Sequence, residues 1–337
     1  MDIIHAYSDL TEEGVITDYK KFDAVISTSS ELSYNSWQIE MDEPVWSRHQ
    51  INAEDYVYIP GTEYGGIVEK VKHVSSTGSV VLFGATWRGI LSRRIIVPPS
   101  GSNYVSVNAD AAAVVKQLID NTVGSPFFVV DPTPVGKTID DDYRFNNLLT
   151  EIHMALDVLD LKLVISMIPG DSHTPAHVKF LVLPSVDWSN EIEISQDYDG
   201  ALTTVSEVGA YNHIIALGRG DLAARQVVQL YVLPDGTITD NASSAGAPAG
   251  LQLRTYLLEN QSAESIAALR KSAEEKLSDF VSTQSAELDI SYSELGVQLG
   301  DRVSIRDFIT GFEGLAKLDR IIYTVDYRGE SIRYYAK

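Results

Sequence analysis

Apolar and polar residues alternate with a period of two along most of the first hundred residues. Successive side chains of an extended chain point to opposite faces, so this spacing predicts half-buried β-strands. β-rich runs recur at 14–18, 33–40, 56–59, 66–74 and 79–83. Turn signals such as Pro60-Gly61-Thr62 and Ser75-Ser76-Thr77-Gly78 separate them. Short strands at this spacing predict a barrel or sandwich. Residues 85–96 read as a short helix or turn running into a strand. The stretch Val97-Pro98-Pro99-Ser100-Gly101-Ser102 then breaks the pattern and marks a domain boundary.

Beyond it the period lengthens toward 3.6. Asn108 is placed to cap a helix through Asp120, with Val114, Val115, Leu118 and Ile119 on one face. Asp140 to Asp142 look like the acidic first turn of a second helix, along which Phe145, Leu148, Leu149, Ile152, Leu156 and Leu159 form the apolar stripe. Strands are expected at 127–130, 162–167 and 177–183. From 204 the pattern is β again, with strands at 211–217 and 226–233 and a turn at Asp235-Gly236. The small-residue stretch NASSAGAPAG (241–250) reads as a loop. Ser262 then caps a helix whose stripe is Ile266, Leu269, Ala273, Leu277 and Phe280. Strands at 287–291, 301–306, 316–326 and 331–335 close the chain. The ordering β, α+β, β predicts an α+β protein with two related β domains and a mixed domain between them.

At 337 residues the chain is long enough for two or three domains, and 44% hydrophobic residues supply real cores. Its 26 Lys and Arg against 47 Asp and Glu give a formal net charge of −21. A chain this acidic is not expected to bind nucleic acid or an anionic membrane through a broad patch. The absence of cysteine excludes disulfides, thiolate metal sites and a cysteine nucleophile. The start, MDIIHAYSDLTEEG, has no basic region followed by an apolar run, so no secretory signal is expected. The apolar stretch 159–168 is too short to span a bilayer.

Several stretches invite a chemical reading. Gly218-Arg219-Gly220-Asp221-Leu222-Ala223 has the G-x-G-x-x-A spacing of a dinucleotide fingerprint and contains an adhesion-like Arg-Gly-Asp. The fingerprint needs a helix after the glycines to meet the pyrophosphate, and too few residues intervene before the next strand. Two strands joined by a glycine-containing loop is the expected form. Gly136-Lys137-Thr138 ends like a phosphate-binding loop, but Asp131 stands where the first glycine belongs. His173 and His177 have a spacing that shares a metal on a helix, yet Pro175 lies between them. His153 beside an apolar stripe and His213 within a strand read as packed residues. No nucleophile elbow or isolated carboxylate pair stands out. No catalytic, cofactor-binding or metal-binding residue is therefore assigned, and no cofactor is expected.

Several blocks together resemble one family, the tail-hub proteins of long-tailed phages, the siphovirus tail-associated or baseplate-hub group. They are GVITDYKKFDAVISTSSELSYNSWQIEM (14–41), GGIVEKVKH (65–73), LSRRII (91–96), VGAYNHIIALGRGDLAARQVVQLYVLPDG (208–236) and LGVQLGDRVSIRDFITGFEGLAKLDRIIYTVDYRG (295–329). The resemblance covers most of the chain and is weakest over 101–205. It implies two tail-tube-like antiparallel β-barrels with an inserted α+β domain. The first barrel would span 1–100, the insertion 101–205 plus 241–285, and the second barrel 206–240 plus 286–337. It also implies a structural, non-enzymatic role: a homotrimer whose six barrel positions form a pseudo-sixfold ring at the tail tip or baseplate of the virion. Such a hub is made in the host cytoplasm, does not insert into a membrane, and lets DNA pass without specific binding. The implied partners are the distal-tail or tail-tube protein, the tape-measure protein and tail spike or receptor-binding proteins. Many members continue into a host-directed lytic or adhesive part. This sequence stops at Lys337, which leads to the expectation that those tasks fall to other tail proteins. Two other readings stay open: a cell-wall hydrolase centred on His153, His173 or His177 with nearby acids, and a carbohydrate-binding adhesin using surface aromatics.

Overall fold

A computed structural model describes residues 2–171, 174–195, 200–207, 209–263, 265–278, 280, 283–290 and 296–336. The N-terminal strands are β1 (Ile3–Ala6), β2 (Glu12–Ile16), β3 (Tyr19–Ser27), β4 (Ser36–Asp42), β5 (Tyr56–Tyr58), β6 (Gly65–Val74) and β7 (Ser79–Thr86), with helices α1 (Glu43–His49) and α2 (Trp87–Ser92). A mixed region follows: β8 (Val105–Asp110), α3 (Ala111–Thr122), β9 (Phe128–Val130), β10 (Thr138–Tyr143), α4 (Leu148–Val158), β11 (Leu161–Ile168) and β12 (His177–Pro184). Then come β13 (Glu193–Ser195), β14 (Gly200–Glu207), β15 (His213–Leu217), β16 (Val227–Val232), β17 (Ile238–Thr239), β18 (Thr255–Glu259) and α5 (Ile266–Ser278). The last strands are β19 (Thr283–Ile290), β20 (Arg302–Asp307), β21 (Phe312–Asp326) and β22 (Gly329–Ala336). Mostly antiparallel sheets with a few helices make this an α+β fold, as the sequence pattern predicts.

The chain divides into two compact units, 1–204 with 286–337 and 205–285. In the first, a long sheet runs in the order β14-β19-β22-β21-β3-β4-β7-β6-β5-β1-β2, with β20 pairing β21 and β13 pairing β20. Period-two alternation explains it. Phe22, Ala24 and Ile26 of β3 point inward, as do Trp37, Ile39 and Met41 of β4 and Ile332, Tyr334 and Ala336 of β22. Antiparallel register sets Ala24 opposite Trp37 on one side and Tyr323 of β21 on the other. The β3–β21 pair thus joins the two ends of the chain in one sheet, over a single apolar cluster that reaches from Ile3 to Ala336. A second cluster lies under α3, α4, β9, β11 and β12, and Ile4, Ala6, Trp87 and Leu91 contribute to it. Strand β1 is consequently buried on both faces.

In the second unit β17-β16-β15-β18 form a sheet. Leu269, Ala273 and Leu277 of α5 share its core with Ile214, Ala216 and Leu230. This corrects the expected domain joints. Strand β18 pairs in parallel with β15, Ile214 opposite Tyr256, so 206–240 and 241–285 belong to one unit rather than to two domains. The mixed region 101–204 lies in the unit that also holds the closing strands.

Three helix starts also differ from expectation; α5 is capped not by Ser262 but by Ser265, whose hydroxyl accepts from the Ala268 N–H at 3.1 Å. Asn108 lies in β8, and Asp110 caps α3 by accepting from the Ala112 N–H at 3.0 Å. Asp140–Asp142 form part of β10 rather than a first helical turn, because Ile139 and Tyr143 turn inward opposite Ala109 and Val105. Helix α4 begins later, where the Asn147 side chain accepts from the Thr150 N–H at 3.2 Å.

Candidate functional site

Arg88 is the most deeply buried cation of the described residues, 1% exposed at the second position of α2. Thr86 starts that helix by accepting from the Gly89 N–H, and the short turn carries Arg88 inward. Its guanidinium donates through Nε and Nη2 to the two carboxylate oxygens of Glu63, in the turn between β5 and β6. Nη2 also donates to the Leu163 carbonyl on β11 at 2.6 Å, and Nη1 reaches His153 Nε2 on α4 at 2.8 Å. Arginine has no acceptor, so His153 Nε2 must accept and its ring proton must sit on Nδ1. Burial and the adjacent Arg88 charge push the His153 pKa well below its ordinary value. The lone pair that a general base would offer is already engaged. The cluster therefore ties α2, α4, β11 and the β5–β6 turn together and is not arranged for proton transfer.

His153 also lines a cavity of about 480 Å³, with Thr150, Lys162, Leu299, Gly300 and Lys317. Of this lining, Lys162 donates through Nζ to Asp301 Oδ1 at 2.6 Å, both residues being buried. Asp301 accepts as well from the Val186 N–H at 2.8 Å and the Gln298 N–H at 2.9 Å. One buried carboxylate thus fixes the loop before β20 to β11 and to the segment after β12. A buried pair of this kind contributes little net stability, but losing one partner costs a great deal.

The motifs singled out in the sequence take ordinary forms. Residues 218–226 connect β15 and β16 as a hairpin, closed by Gly218 N–H to the Gln226 carbonyl and Gln226 N–H to the Arg219 carbonyl, each 2.8 Å. Gly220 has φ 97°, and a Cβ there would stand 2.5 Å from the Ala224 carbonyl oxygen. Only a single 3-10 turn, Leu222–Ala224, follows, too short to present a helix N-terminus to a pyrophosphate. Around Gly136-Lys137-Thr138 the Asp110 carboxylate accepts from the Val135 N–H at 3.0 Å and the Gly136 N–H at 2.8 Å. An internal anion occupies the amides that a phosphate would need. His177 Nδ1 donates to the Pro175 carbonyl at 3.0 Å, and His173 lies outside the described residues. His213 is buried against Tyr231, its Nδ1 2.8 Å from the Thr255 hydroxyl.

The residues able to hold a metal ion lie elsewhere. His5 on β1, Glu13 on β2 and His49 at the end of α1 bring Nδ1, Oε2 and Nδ1 within 4.8 Å of one another. Three separate segments contribute, so no local spacing announced them. The available signal was the pair Glu12-Glu13 breaking the alternation just before Gly14.

The 43 kDa tail protein of prophage MuSo2 from Shewanella oneidensis superposes with a TM-score of 0.55 at 12% identity, covering 100% of this chain and 98% of that one. A tail protein from Neisseria meningitidis MC58 gives 0.52 at 14% identity, covering 100% and 96%. A chain of the p2 virion baseplate in its activated conformation gives 0.50 at 11% identity, covering 99% and 98%. No family profile and no curated protein sequence matches the chain. Among the described residues no helix is long and apolar enough to cross a membrane. From end to end, the chain has the fold of phage tail and baseplate proteins.

Proposed function

We propose that this chain is a structural component of a phage or prophage tail, the baseplate hub at the distal end of the tail tube. The observation that carries the reading is end-to-end likeness in fold to a tail protein and a prophage tail protein of nearly equal extent. The long sheet supports a finer version. Strands β1–β7 form one half and β13, β14 and β19–β22 the other, joined edge to edge through β3 and β21. Each half would be one tube-like barrel, and the junction inside the chain would imitate the contact between neighbouring positions of a ring. The sheet path ends at β2 and β14, and unpaired strand edges are natural sites for the next copy. Three copies would then close a pseudo-sixfold ring that adapts the tube to the tip and passes DNA. Its partners would be the distal-tail or tube protein above and the tape-measure and receptor-binding proteins around it, within the virion tail. Nothing in the Arg88, Glu63 and His153 arrangement calls for an enzymatic role.

Light scattering over a range of concentrations, with negative-stain imaging, tests this. A trimeric mass and ring-shaped particles are expected, alone or on mixing with the tube or distal-tail protein of the same genome. A chain that stays monomeric and fails to bind either protein would refute the hub.

A further inference from the structure

We propose that His5, Glu13 and His49 form a binding site for a divalent transition-metal ion, with zinc the best fit, and that Asp55 positions one of its ligands. The proposal is independent of the tail reading.

The argument starts from His5, which is 0% exposed. Its Nε2 stands 3.1 Å from Asp55 Oδ2 and its Nδ1 3.5 Å from Glu13 Oε2. Both ring nitrogens face carboxylates, yet a neutral imidazole carries one proton. Assigning it to Nε2, the closer contact, leaves the buried Nδ1 lone pair facing an anionic oxygen, and Nδ1 has no hydrogen-bond partner. Two acceptors aimed at one another call for a cation between them. The same Glu13 oxygen is also approached by His49 Nδ1 at 2.9 Å. Three donor atoms therefore converge on one small space.

The two spacings to Glu13 fit an ion, and the ligand atoms of His5 and His49 lie within 4.8 Å of each other. Zinc binds nitrogen and oxygen at about 2.0–2.2 Å, which in a tetrahedron sets neighbouring donors about 3.3 Å apart. The observed 3.5 Å and 2.9 Å bracket that value. Two imidazoles and one carboxylate form a borderline donor set that suits zinc rather than calcium or magnesium, which prefer oxygen alone. A fourth position remains for water. The Asp55–His5 contact is the carboxylate–histidine pairing that fixes the tautomer of a metal-bound imidazole. Asp55 is itself held by the Asn52 N–H at 2.8 Å.

The backbone is shaped for the site. Opposite β1, the register jumps from His5↔Gly14 to Ala6↔Glu12, so Glu13 is the extra residue of a β-bulge. Bulges re-aim side chains, and this one turns Glu13 toward His5 and His49. Gln50, just after His49, ends α1 in the left-handed region at φ 51°. A bound ion would clamp the β1–β2 hairpin to α1.

The test uses the full chain, stripped with chelator and titrated with zinc chloride. One zinc per chain and a melting temperature that rises with zinc are expected. Cobalt(II) should give the intense visible absorption of a tetrahedral site in the wild-type chain, a readout that needs no variant. Glu13→Gln, at a partly exposed position, and His49→Gln, at a buried one, should abolish stoichiometric binding, whereas His73→Gln at the surface should not. Asp55→Asn should weaken binding roughly 10–100-fold while leaving the stoichiometry intact. Failure to retain zinc together with no cobalt band overturns the proposal. So does binding that survives both Glu13→Gln and His49→Gln. A melting temperature that ignores zinc also overturns it.

Discussion

Arg88 and His153 together make a prediction about pH. Burial and the adjacent guanidinium hold His153 neutral in the folded chain, well below its ordinary pKa of 6.5. The unfolded chain binds a proton near that ordinary value and the folded chain does not. The stabilisation is therefore fully present above pH 6.5 and is lost as pH falls toward the folded pKa, with a slope of at most ~1.4 kcal/mol per pH unit from this residue. Urea midpoints between pH 7.5 and 5.5 should fall in the wild-type chain. In His153→Gln, whose amide oxygen still accepts from Arg88, the fall should be distinctly smaller, and equal slopes would remove His153 as the cause. Only one of the three side chains of this cluster is legible in the sequence. His153 sat visibly beside a helical stripe, but Arg88 and Glu63 reach it from distant segments, and their partnership is created by the fold. The same holds for His5, Glu13 and His49. The phosphate-loop reading of 136–138 could be set aside from Asp131 alone, yet the physical reason lies at Asp110, which no motif includes.

Among the elements, periodicity served well wherever one face is buried. Strands β4, β6, β7, β11, β12, β16, β20, β21 and β22 fall within a few residues of their alternating runs, and α5 follows its stripe of Leu269, Ala273 and Leu277. It served poorly where composition imitated another element. The acidic triplet of β10 resembled a helix start, and β18 gave little signal because its residues are mostly exposed or half-buried. Close backbone approach is another feature that the pattern hides. Gly84 on β7 lies across from Val68, and a Cβ there would sit 1.7 Å from the Ile67 carbonyl oxygen and 2.9 Å from Trp37 Nε1. Trp37 cannot move aside freely, since its indole donates to the Ala85 carbonyl at 3.2 Å in the core. Gly84→Ala should therefore cost at least the ~3 kcal/mol at the upper end of overpacking substitutions. Gly314→Ala on β21 meets open space and should be neutral or stabilising by about 0.5–1 kcal/mol. Chemical denaturation of the two variants checks both signs, and similar midpoints would show that the β6–β7 contact relaxes easily.

For the whole molecule, charge makes the plainest statement. The net charge of −21 is unevenly opposed, because many of the cations are already committed to carboxylates. Arg88 pairs with Glu63, Arg93 with Glu69, Lys162 with Asp301, Arg302 with Asp160 and Lys317 with Asp157. Those cations are poorly placed to form the continuous basic stripe that nucleic acid needs. A protein that binds DNA through its phosphates loses affinity steeply with salt, in proportion to the phosphates it neutralises. A chain of this composition should instead show no retention of duplex DNA even at low ionic strength, where attraction would be strongest. Anisotropy of a labelled duplex, measured from about 20 to 200 mM salt with the chain alone and after any ring has formed, reads this directly. A flat, low signal in both states is the expected result and is what the proposed passage of DNA requires. Micromolar binding that disappears with salt would reveal a basic surface and would count against the proposed passage of DNA.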